Sequence, residues 1–205
     1  QNFTKYMPVP GYLDLRQAIS KKFKRDNNLD YSVDQIVVST GAKQSITNVV
    51  LCLINEGDEV LLPAPYWVTY AEIVKLAGGI PVFVDAGIDV DFKITAEQLQ
   101  AKTTRNTKLM IYSSPCNPTG TVYSKSELRG IANYFAENKG INVIADEIYE
   151  HITFKGKHES LAQFEDIYDQ VITINGVSKA FAMTGWRVGY MGAPLWIAKA
   201  CSKMK

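Results

Sequence analysis

The chain has 205 residues, of which 46% are hydrophobic and 21% are charged, and its formal net charge is +1. This composition provides enough apolar material for a core and argues against a strongly basic, nucleic-acid-binding protein. The longest apolar run, from Val49 to Ile54, is too short to span a membrane. The three cysteines are widely spaced and form no Cys-x-x-Cys pair, which argues against disulfides and structural zinc and favours a reducing compartment, by default the cytoplasm. We therefore expect no metal, nucleic-acid or membrane partner.

The amino-terminal part of the chain predicts a helix followed by a buried strand. Gly11 opens the helix, and four apolar residues then recur at helical spacing. We expect these four to form its core stripe: Tyr12, Leu15, Ile19 and Phe23. The run of residues 35–39, Gln-Ile-Val-Val-Ser, is typical of a short strand that is buried on both faces.

A second helix is predicted directly after this strand, and a glycine turn joins the two. The turn consists of Gly41, Ala42 and Lys43. A strand, a glycine turn and a helix in this order offer free backbone N–H groups and the positive end of a helix dipole to a phosphate. Alone the pattern is weakly specific, because one glycine begins many ordinary helices and neither the P-loop nor the dinucleotide spacing is present.

Strands and helices alternate over the rest of the chain. Short apolar runs predict strands over residues 59–62, 80–84, 108–112, 141–145, 171–174 and 188–191. This alternation is typical of an α/β fold with a mainly parallel sheet covered by helices on both faces, and we treat the chain as one domain. Ligands of such sheets bind at the carboxyl ends of the strands. Six candidate residues lie at or just past such ends: Gly41, Trp67, Asn117, Asp146, Tyr149 and Lys179.

The segment from Asn175 to Tyr190 contains the most specific candidate site. It places Lys179 among apolar residues and returns Arg187 eight positions later. We expect burial to lower the pKa of Lys179, and a neutral amine condenses with an aldehyde to give a Schiff base. A lone lysine is more often a surface residue, but Arg187 offers a planar fork of donors suited to a phosphate, and three nearby glycines leave room for a ligand.

Residues 178–190, Ser-Lys-Ala-Phe-Ala-Met-Thr-Gly-Trp-Arg-Val-Gly-Tyr, resemble the Schiff-base segment of the aspartate aminotransferase group of class I pyridoxal-phosphate enzymes. The resemblance covers essentially the whole chain, from Tyr6 to the last helix. It implies pyridoxal 5'-phosphate (PLP) as the cofactor and, for residues 1–205, the large domain of the type I PLP-dependent transferase fold. It also implies that the chain is truncated at both ends and lacks the amino-terminal segment and the carboxy-terminal small domain.

The same resemblance assigns residues to the cofactor ring. The run Asp146-Glu-Ile-Tyr149 matches an Asp-Glu-x-Tyr run of the family. Its aspartate would pair with the ring nitrogen, because a neighbouring carboxylate favours the protonated form of that nitrogen. Tyr149 and Asn117 would hydrogen-bond the phenolic oxygen of the ring. Trp67 would stack on the ring face, with its neighbour Tyr66 as the alternative.

The resemblance also assigns groups to the cofactor phosphate. Arg187 and the backbone N–H groups of the glycine turn would bind it. Some relatives carry a serine three residues before the Schiff-base lysine, where this chain has Gly176, so Ser178 is the remaining candidate for that hydroxyl donor. Tyr6 resembles a tyrosine that reaches across a homodimer interface to the neighbour's phosphate, which implies active sites shared between two subunits.

The resemblance further implies a substrate and a reaction. Lys43 resembles a lysine that meets the distal carboxylate of aspartate or glutamate, and Trp67 and Asn117 complete the expected substrate contacts. The expected catalytic residues are Lys179, Asp146 and Tyr149. The implied enzyme is an aminotransferase that exchanges an amino group between L-aspartate, or another acidic amino acid, and 2-oxoglutarate through an aldimine on Lys179.

Two alternatives remain open at this point. An aromatic or kynurenine aminotransferase, or a PLP-dependent lyase, would use the same scaffold. A non-catalytic PLP-binding regulatory protein is the second alternative, although a regulator has no need of the complete set of catalytic groups. Because the resemblance places the arginine for the substrate α-carboxylate beyond Lys205, we expect the 205 residues alone to bind the cofactor and to turn over poorly.

Overall fold

The computed structural model describes residues 4–154 and 156–205, and these residues build a seven-stranded sheet. The strands are β1 (Ile36–Ser39), β2 (Glu59–Ala64), β3 (Ile80–Asp85), β4 (Thr107–Ser113), β5 (Asn142–Asp146), β6 (Val171–Gly176) and β7 (Gly189–Gly192). Their order across the sheet is β1-β7-β6-β5-β4-β2-β3. Strands β2 to β6 pair in parallel, whereas β7 is antiparallel to both β1 and β6. The predicted, mainly parallel sheet is therefore confirmed.

Six α-helices of the described residues cover the two faces of the sheet. They are α1 (Leu13–Lys22), α2 (Ala42–Leu53), α3 (Thr69–Leu76), α4 (Ala96–Lys102), α5 (Lys125–Glu137) and α6 (Leu195–Met204), and a π-helical turn, Phe23–Asn27, extends α1. Helices α2, α3 and α6 pack on one face, and α1, α4 and α5 pack on the other. None of these helices combines the length and the hydropathy that crossing a membrane requires.

The side chains of the central strand β5 alternate between the two layers of core. Val143 and Ala145 face the layer of α1, α4 and α5, whereas Ile144 faces the layer of α2, α3 and α6. The alternation continues through Asp146, the last residue of the strand, and one residue beyond it. Asp146 therefore emerges on the side of Ile144, where α3 packs, and Glu147 points to the opposite layer.

The predicted core stripe of the first helix is only half correct. Ile19 and Phe23 are buried, but Tyr12 and Leu15 are 47% and 37% exposed. The reason is the position of α1, which packs on β1 at the edge of the sheet. An edge strand offers only part of a surface, so the carboxyl-terminal half of the helix packs and the amino-terminal half does not.

Candidate active site

A cavity of about 310 Å³ opens where β4, β5 and β6 end. It brings together residues that are more than 130 positions apart in the sequence. Eight of the predicted site residues line it: Ala42, Lys43, Trp67, Asn117, Asp146, Tyr149, Lys179 and Arg187. Because these residues follow different strands, their meeting at one edge is a direct consequence of the parallel sheet.

Asp146 is the buried charge of the cavity. Its side chain is 4% exposed, its Oδ2 accepts a hydrogen bond of 2.7 Å from the Tyr70 hydroxyl, and its Oδ1 accepts one of 3.3 Å from the backbone N–H of Ile148. Burial raises the pKa of Asp146 to about 6, although these two hydrogen bonds act in the opposite direction. A cationic group bound in the cavity would stabilise the ionised form of this carboxyl.

Tyr70 is the main residue that the sequence analysis missed. It lies in α3, and its ring is T-shaped against Trp67 at a centroid distance of 5.5 Å. Its hydroxyl is 76 positions from Asp146 along the chain, so only the fold reveals the contact. The sequence offered one signal, the spacing of three residues from Trp67, which is the spacing of neighbours on one helical turn. Trp67 itself lies just before α3, and the backbone N–H of Tyr70 donates to its carbonyl oxygen at 3.0 Å.

Lys179 lies on the loop between β6 and β7. The loop is closed by backbone hydrogen bonds from Val177 N to Val188 O and from Met183 N to Val177 O. The Lys179 Nζ lies 5.5 Å from the centre of the Tyr149 ring. The expected burial of Lys179 is wrong: the lysine is exposed, and its apolar neighbour Phe181 is itself 56% exposed.

Arg187 and the start of α2 form a site for an anion. Gly41 has a φ of +88°, and a Cβ at this position would overlap the Arg187 guanidinium group. Arg187 is itself left-handed, with a φ of +52°, and its Nη1 donates a hydrogen bond of 2.8 Å to Thr184 O. No side chain of the described residues caps α2, so the N–H groups of Ala42 and Lys43 remain available to a negatively charged ligand.

Lys43 and Trp67 form one wall of the cavity. The Lys43 Nζ lies 4.9 Å from the centre of the Trp67 ring, which is within the range of a cation–π contact. Trp67 is half-buried and Lys43 is exposed. Asn117 and Tyr149 line this cavity too, and both also line a neighbouring cavity of about 740 Å³. The site thus offers a positive charge, a flat ring, an amide and a phenol.

Two predicted residues do not line this cavity. Gly41 lies behind Arg187 and shapes the anion site from there. Tyr6 is fully exposed. The hydroxyl donor sought near the lysine is not available at position 176, because a Cβ there would come within 2.8 Å of Val188 O. Ser178 and Thr184 line the cavity, and Thr184 was not anticipated.

The residues present fit PLP. The glycine-shaped contact between Gly41 and Arg187, next to an uncapped helix, suits a phosphate. The buried Asp146 carboxyl suits a protonated ring nitrogen. Trp67 offers an aromatic face, and the Lys179 amine suits an aldehyde. Each chemical group of the cofactor therefore has a counterpart in the cavity.

Comparisons with known proteins agree with this chemistry. A family model for class I and II aminotransferases matches residues 1–205. The probable aspartate/prephenate aminotransferase of Rickettsia bellii is 50% identical over 200 residues, which cover 97% of this chain and 50% of that protein. The aspartate aminotransferase of a Bacillus species is 50% identical over 192 residues, which cover 93% of this chain and 49% of that protein. The chain spans about half the length of these curated relatives.

A solved structure supports the same assignment. The crystal structure of the aspartate aminotransferase from Rhizobium meliloti superimposes with a TM-score of 0.96 at 39% identity, covering 98% of this chain and 51% of that one. This agreement confirms the predicted type I PLP-dependent transferase fold. The chain therefore belongs to the class I and II aminotransferases, a family whose members depend on pyridoxal phosphate.

Proposed function

We propose that residues 1–205 are the cofactor-binding large domain of an aminotransferase that moves an amino group between L-aspartate, or another acidic amino acid, and 2-oxoglutarate. The observation that carries the proposal is the meeting of Lys179, Asp146 and Arg187 in one cavity. These are an amine, a buried carboxyl and a phosphate-binding guanidinium, and no simpler ligand needs all three. The names of the relatives from Rickettsia and Bacillus support the acidic substrate.

The chain's own groups would hold PLP from several sides. Arg187 and the first N–H groups of α2 bind the phosphate, and Asp146 holds the proton on the ring nitrogen. Trp67 covers one face of the ring, and Asn117 and Tyr149 donate hydrogen bonds to its phenolic oxygen. When bound, the cofactor supplies an aldehyde and an electron-withdrawing ring that stabilises negative charge on the substrate α-carbon.

Lys179 performs the proton transfer in this proposal. Its Nζ stands at the cavity wall beside the Tyr149 ring, where it can take a proton from a substrate carbon and return one. The hydrogen bond that the Tyr149 hydroxyl would donate to the phenolic oxygen of the ring lies at the same wall. The exposure of the lysine does not prevent this role, because a bound cofactor and substrate cover the cavity.

Lys43 is the proposed determinant of the acidic substrate. Its ammonium is a point charge above Trp67 at the rim of the cavity, where a distal carboxylate can reach it. Replacing Lys43 with alanine is expected to raise the KM for aspartate about tenfold and to leave phenylalanine nearly unaffected. A Lys75→Ala variant is the matched control, since Lys75 pairs with Glu72 on the outer surface of α3. Equal losses for the two amino acids would contradict the assignment, because Lys43 would then not discriminate between them.

The first test of the function uses the absorption spectrum of the full-length protein after addition of PLP. We expect a near-ultraviolet or visible band that is absent from a Lys179→Ala variant. Borohydride reduction followed by peptide mass spectrometry should then locate the cofactor on Lys179. Aspartate should convert the band and release a 2-oxo acid. A band that forms but survives aspartate would contradict the proposed substrate and leave the cofactor-binding role intact.

Two further parts of the proposal concern assembly and location. The exposed Tyr6 would reach the phosphate site of a second subunit, so that a homodimer shares its two active sites. Exposed apolar residues near it, Met7, Val9 and Leu13, give this end of the chain a surface suited to an interface. The three cysteines are all free thiols, which supports the cytoplasm as the compartment.

A further inference from the structure

Three carboxyl groups are buried within five residues at the end of β5. Asp146, Glu147 and Glu150 are 4%, 1% and 6% exposed. Burying a carboxylate is unfavourable by several kcal/mol unless a counter-charge or several hydrogen bonds compensate. The proposed function uses only Asp146. The two glutamates need another explanation, and both lie behind the cofactor cavity.

Glu147 is held by a histidine and a serine. Its Oε2 lies 3.0 Å from His158 Nε2, and its Oε1 accepts a hydrogen bond of 2.7 Å from Ser160 Oγ. The imidazole is itself buried, with 7% of its side chain exposed. Burial acts to lower the pKa of His158, but the charge of Glu147 and their hydrogen bond outweigh it and raise this pKa above its ordinary value. The contact therefore favours the imidazolium form of His158 more than solvent does, and it places a histidine directly against the buried Glu147 carboxyl.

Glu150 has its own counter-charge. Its Oε1 forms an ion pair with Lys22 Nζ, and its Oε2 accepts a hydrogen bond of 2.8 Å from Asn27 Nδ2. His151 adds a contact of 3.1 Å to Oε1. Ligand atoms of Glu147, Glu150 and His158 lie within 4.8 Å of one another, but the ammonium of Lys22 already neutralises Glu150 and disfavours a divalent cation there. Lys22 thus provides the counter-charge of Glu150, whereas Glu147 depends on His158 for its counter-charge.

The two glutamates flank the turn that carries Tyr149. The backbone N–H of Glu150 donates to Glu147 O at 2.9 Å, and the N–H of Glu147 donates to Ile174 O at 2.9 Å. The side chain of Glu147 ties this turn to residues 158–160, and that of Glu150 ties it to α1. Asp146 precedes the turn directly. Its orientation and that of Tyr149 therefore depend on both anchors.

We propose that Glu147 and His158 form a positioning pair behind the cofactor site: the pair fixes the turn bearing Asp146 and Tyr149, and His158 offsets a charge that would otherwise act on Asp146. This inference rests on the proposed function. The charged and titratable groups around Asp146 are Tyr70, Glu147 and Lys179. Those around His158 are Glu147, Glu150 and Lys22, and Asp26, Lys125, Lys157 and Glu159 line the polar cavity on its outer side.

The pair has a consequence for the pH dependence of cofactor binding. Asp146 must be ionised to hold the ring proton, so affinity for PLP falls as the pH drops through its pKa. The negative charge of Glu147 raises that pKa. Removing the charge with Glu147→Gln, which keeps the shape, should move the pH midpoint of binding downwards. Replacing His158 with glutamine removes the counter-charge of Glu147 and should move the pH midpoint of binding upwards. We expect each of the two shifts to be about half a pH unit.

The experiment is a titration of the full-length protein with PLP between pH 5 and pH 8.5, followed by the Lys179-dependent absorption band. His151→Gln is the matched control, because it removes a histidine beside a glutamate that Lys22 already balances. Its midpoint should equal that of the wild type. Opposite shifts in the two test variants support the inference.

Two results would overturn it. Both variants could retain the wild-type midpoint while losing only thermal stability, which would make the pair structural. The midpoints of both variants could shift in the same direction, which would show that His158 does not offset the charge of Glu147. If His158→Gln does not fold, the near-isosteric Glu147→Gln decides alone through its downward shift or its absence. A wild-type protein without any Lys179-dependent band would instead refute the proposed function, and this inference with it.

Discussion

The buried carboxyl of Asp146 destabilises the cofactor-free protein when it is ionised. Its pKa is about 6 in the folded chain, against an ordinary value of 3.8, because burial disfavours the carboxylate. Below pH 4 the group is mostly protonated in both states. Between about pH 4 and pH 6 the unfolded chain ionises this carboxyl while the folded chain keeps it protonated, so stability is lost over that range and the loss is complete above pH 6. Two pKa units correspond to about 3 kcal/mol.

An Asp146→Asn variant should therefore be more stable than the wild type above pH 7 and equally stable near pH 4. The amide can still accept the hydrogen bond from Tyr70, so the cavity keeps its shape. Urea unfolding of the cofactor-free protein at pH 4 and pH 7.5 measures the difference, which we expect to approach 3 kcal/mol at the higher pH. The same variant should bind PLP poorly. A difference that does not change with pH would mean that Asp146 is not the titrating group.

Tyr70 acts on the cavity through Asp146. Its hydroxyl donates a hydrogen bond of 2.7 Å to Asp146 Oδ2. This bond lowers the pKa of Asp146, which burial raises. Tyr70→Phe should raise the pKa of Asp146 further and weaken PLP binding at pH 7 by about tenfold, the usual scale for one hydrogen bond to a charged group. At pH 8.5 most of this loss should disappear, because the carboxyl is then ionised in both proteins.

The control for this change is Tyr134→Phe. Tyr134 is also buried and also donates or accepts through its hydroxyl, at 2.6 Å from Thr103 Oγ1, but it lies in α5 away from the cavity. It should leave the PLP affinity unchanged at both pH values. A loss in Tyr70→Phe that persists undiminished at pH 8.5 would show a packing effect and not an electrostatic one.

At the scale of elements, the anion site depends on how closely β7 approaches the start of α2. A Cβ at Gly189, the first residue of β7, would overlap the backbone of Gly41 and Ala42, and one at Gly41 would overlap Arg187. Gly41 also requires a positive φ, which side chains disfavour by about 1 kcal/mol. The proposed phosphate site thus needs two glycines from distant segments.

Gly189→Ala should separate the α2 start from Arg187, lower PLP affinity at least tenfold and lower the unfolding temperature. Gly130→Ala is the matched control, since Gly130 lies inside α5 with nothing within 4 Å of its added Cβ. It should stabilise the protein by about 0.5–1 kcal/mol. Both changes are read by thermal unfolding and by PLP titration. Wild-type affinity in Gly189→Ala would place the phosphate elsewhere.

The sequence predicted the elements better than their surroundings. Buried runs such as residues 141–145 gave the strands within one or two residues, because a parallel sheet buries both faces of each strand. The four residues of β7 do not indicate that this strand is antiparallel to its neighbours. The exposure of Tyr12 depends on the packing of α1 against the edge strand β1, which the sequence does not show. The contact between Tyr70 and Asp146 was equally out of reach, since side-chain partners across a fold leave no periodicity.

At the scale of the whole molecule, Tyr6 lies outside the lining of the cavity and is fully exposed. This arrangement makes a specific statement about assembly testable. If Tyr6 serves the phosphate site of the neighbouring subunit, then a subunit with a defective Tyr6 still lends its own lysine and cavity to an intact site. Complementation between two inactive variants distinguishes that case from a site within one subunit.

Full-length Tyr6→Ala and Lys179→Ala proteins should each be impaired as homodimers. In a hybrid dimer, one site collects both defects, and the other combines an intact Lys179 with the intact Tyr6 of the partner. Random exchange of subunits therefore should restore about one quarter of all sites, measured by PLP binding at limiting cofactor and by turnover of aspartate. Mixing Tyr6→Ala with a Tyr6→Ala, Lys179→Ala double variant gives the background, since every intact Lys179 is then combined only with a substituted Tyr6. Restoration no greater than that background, or a monomer by light scattering, would show that Tyr6 does not act across an interface.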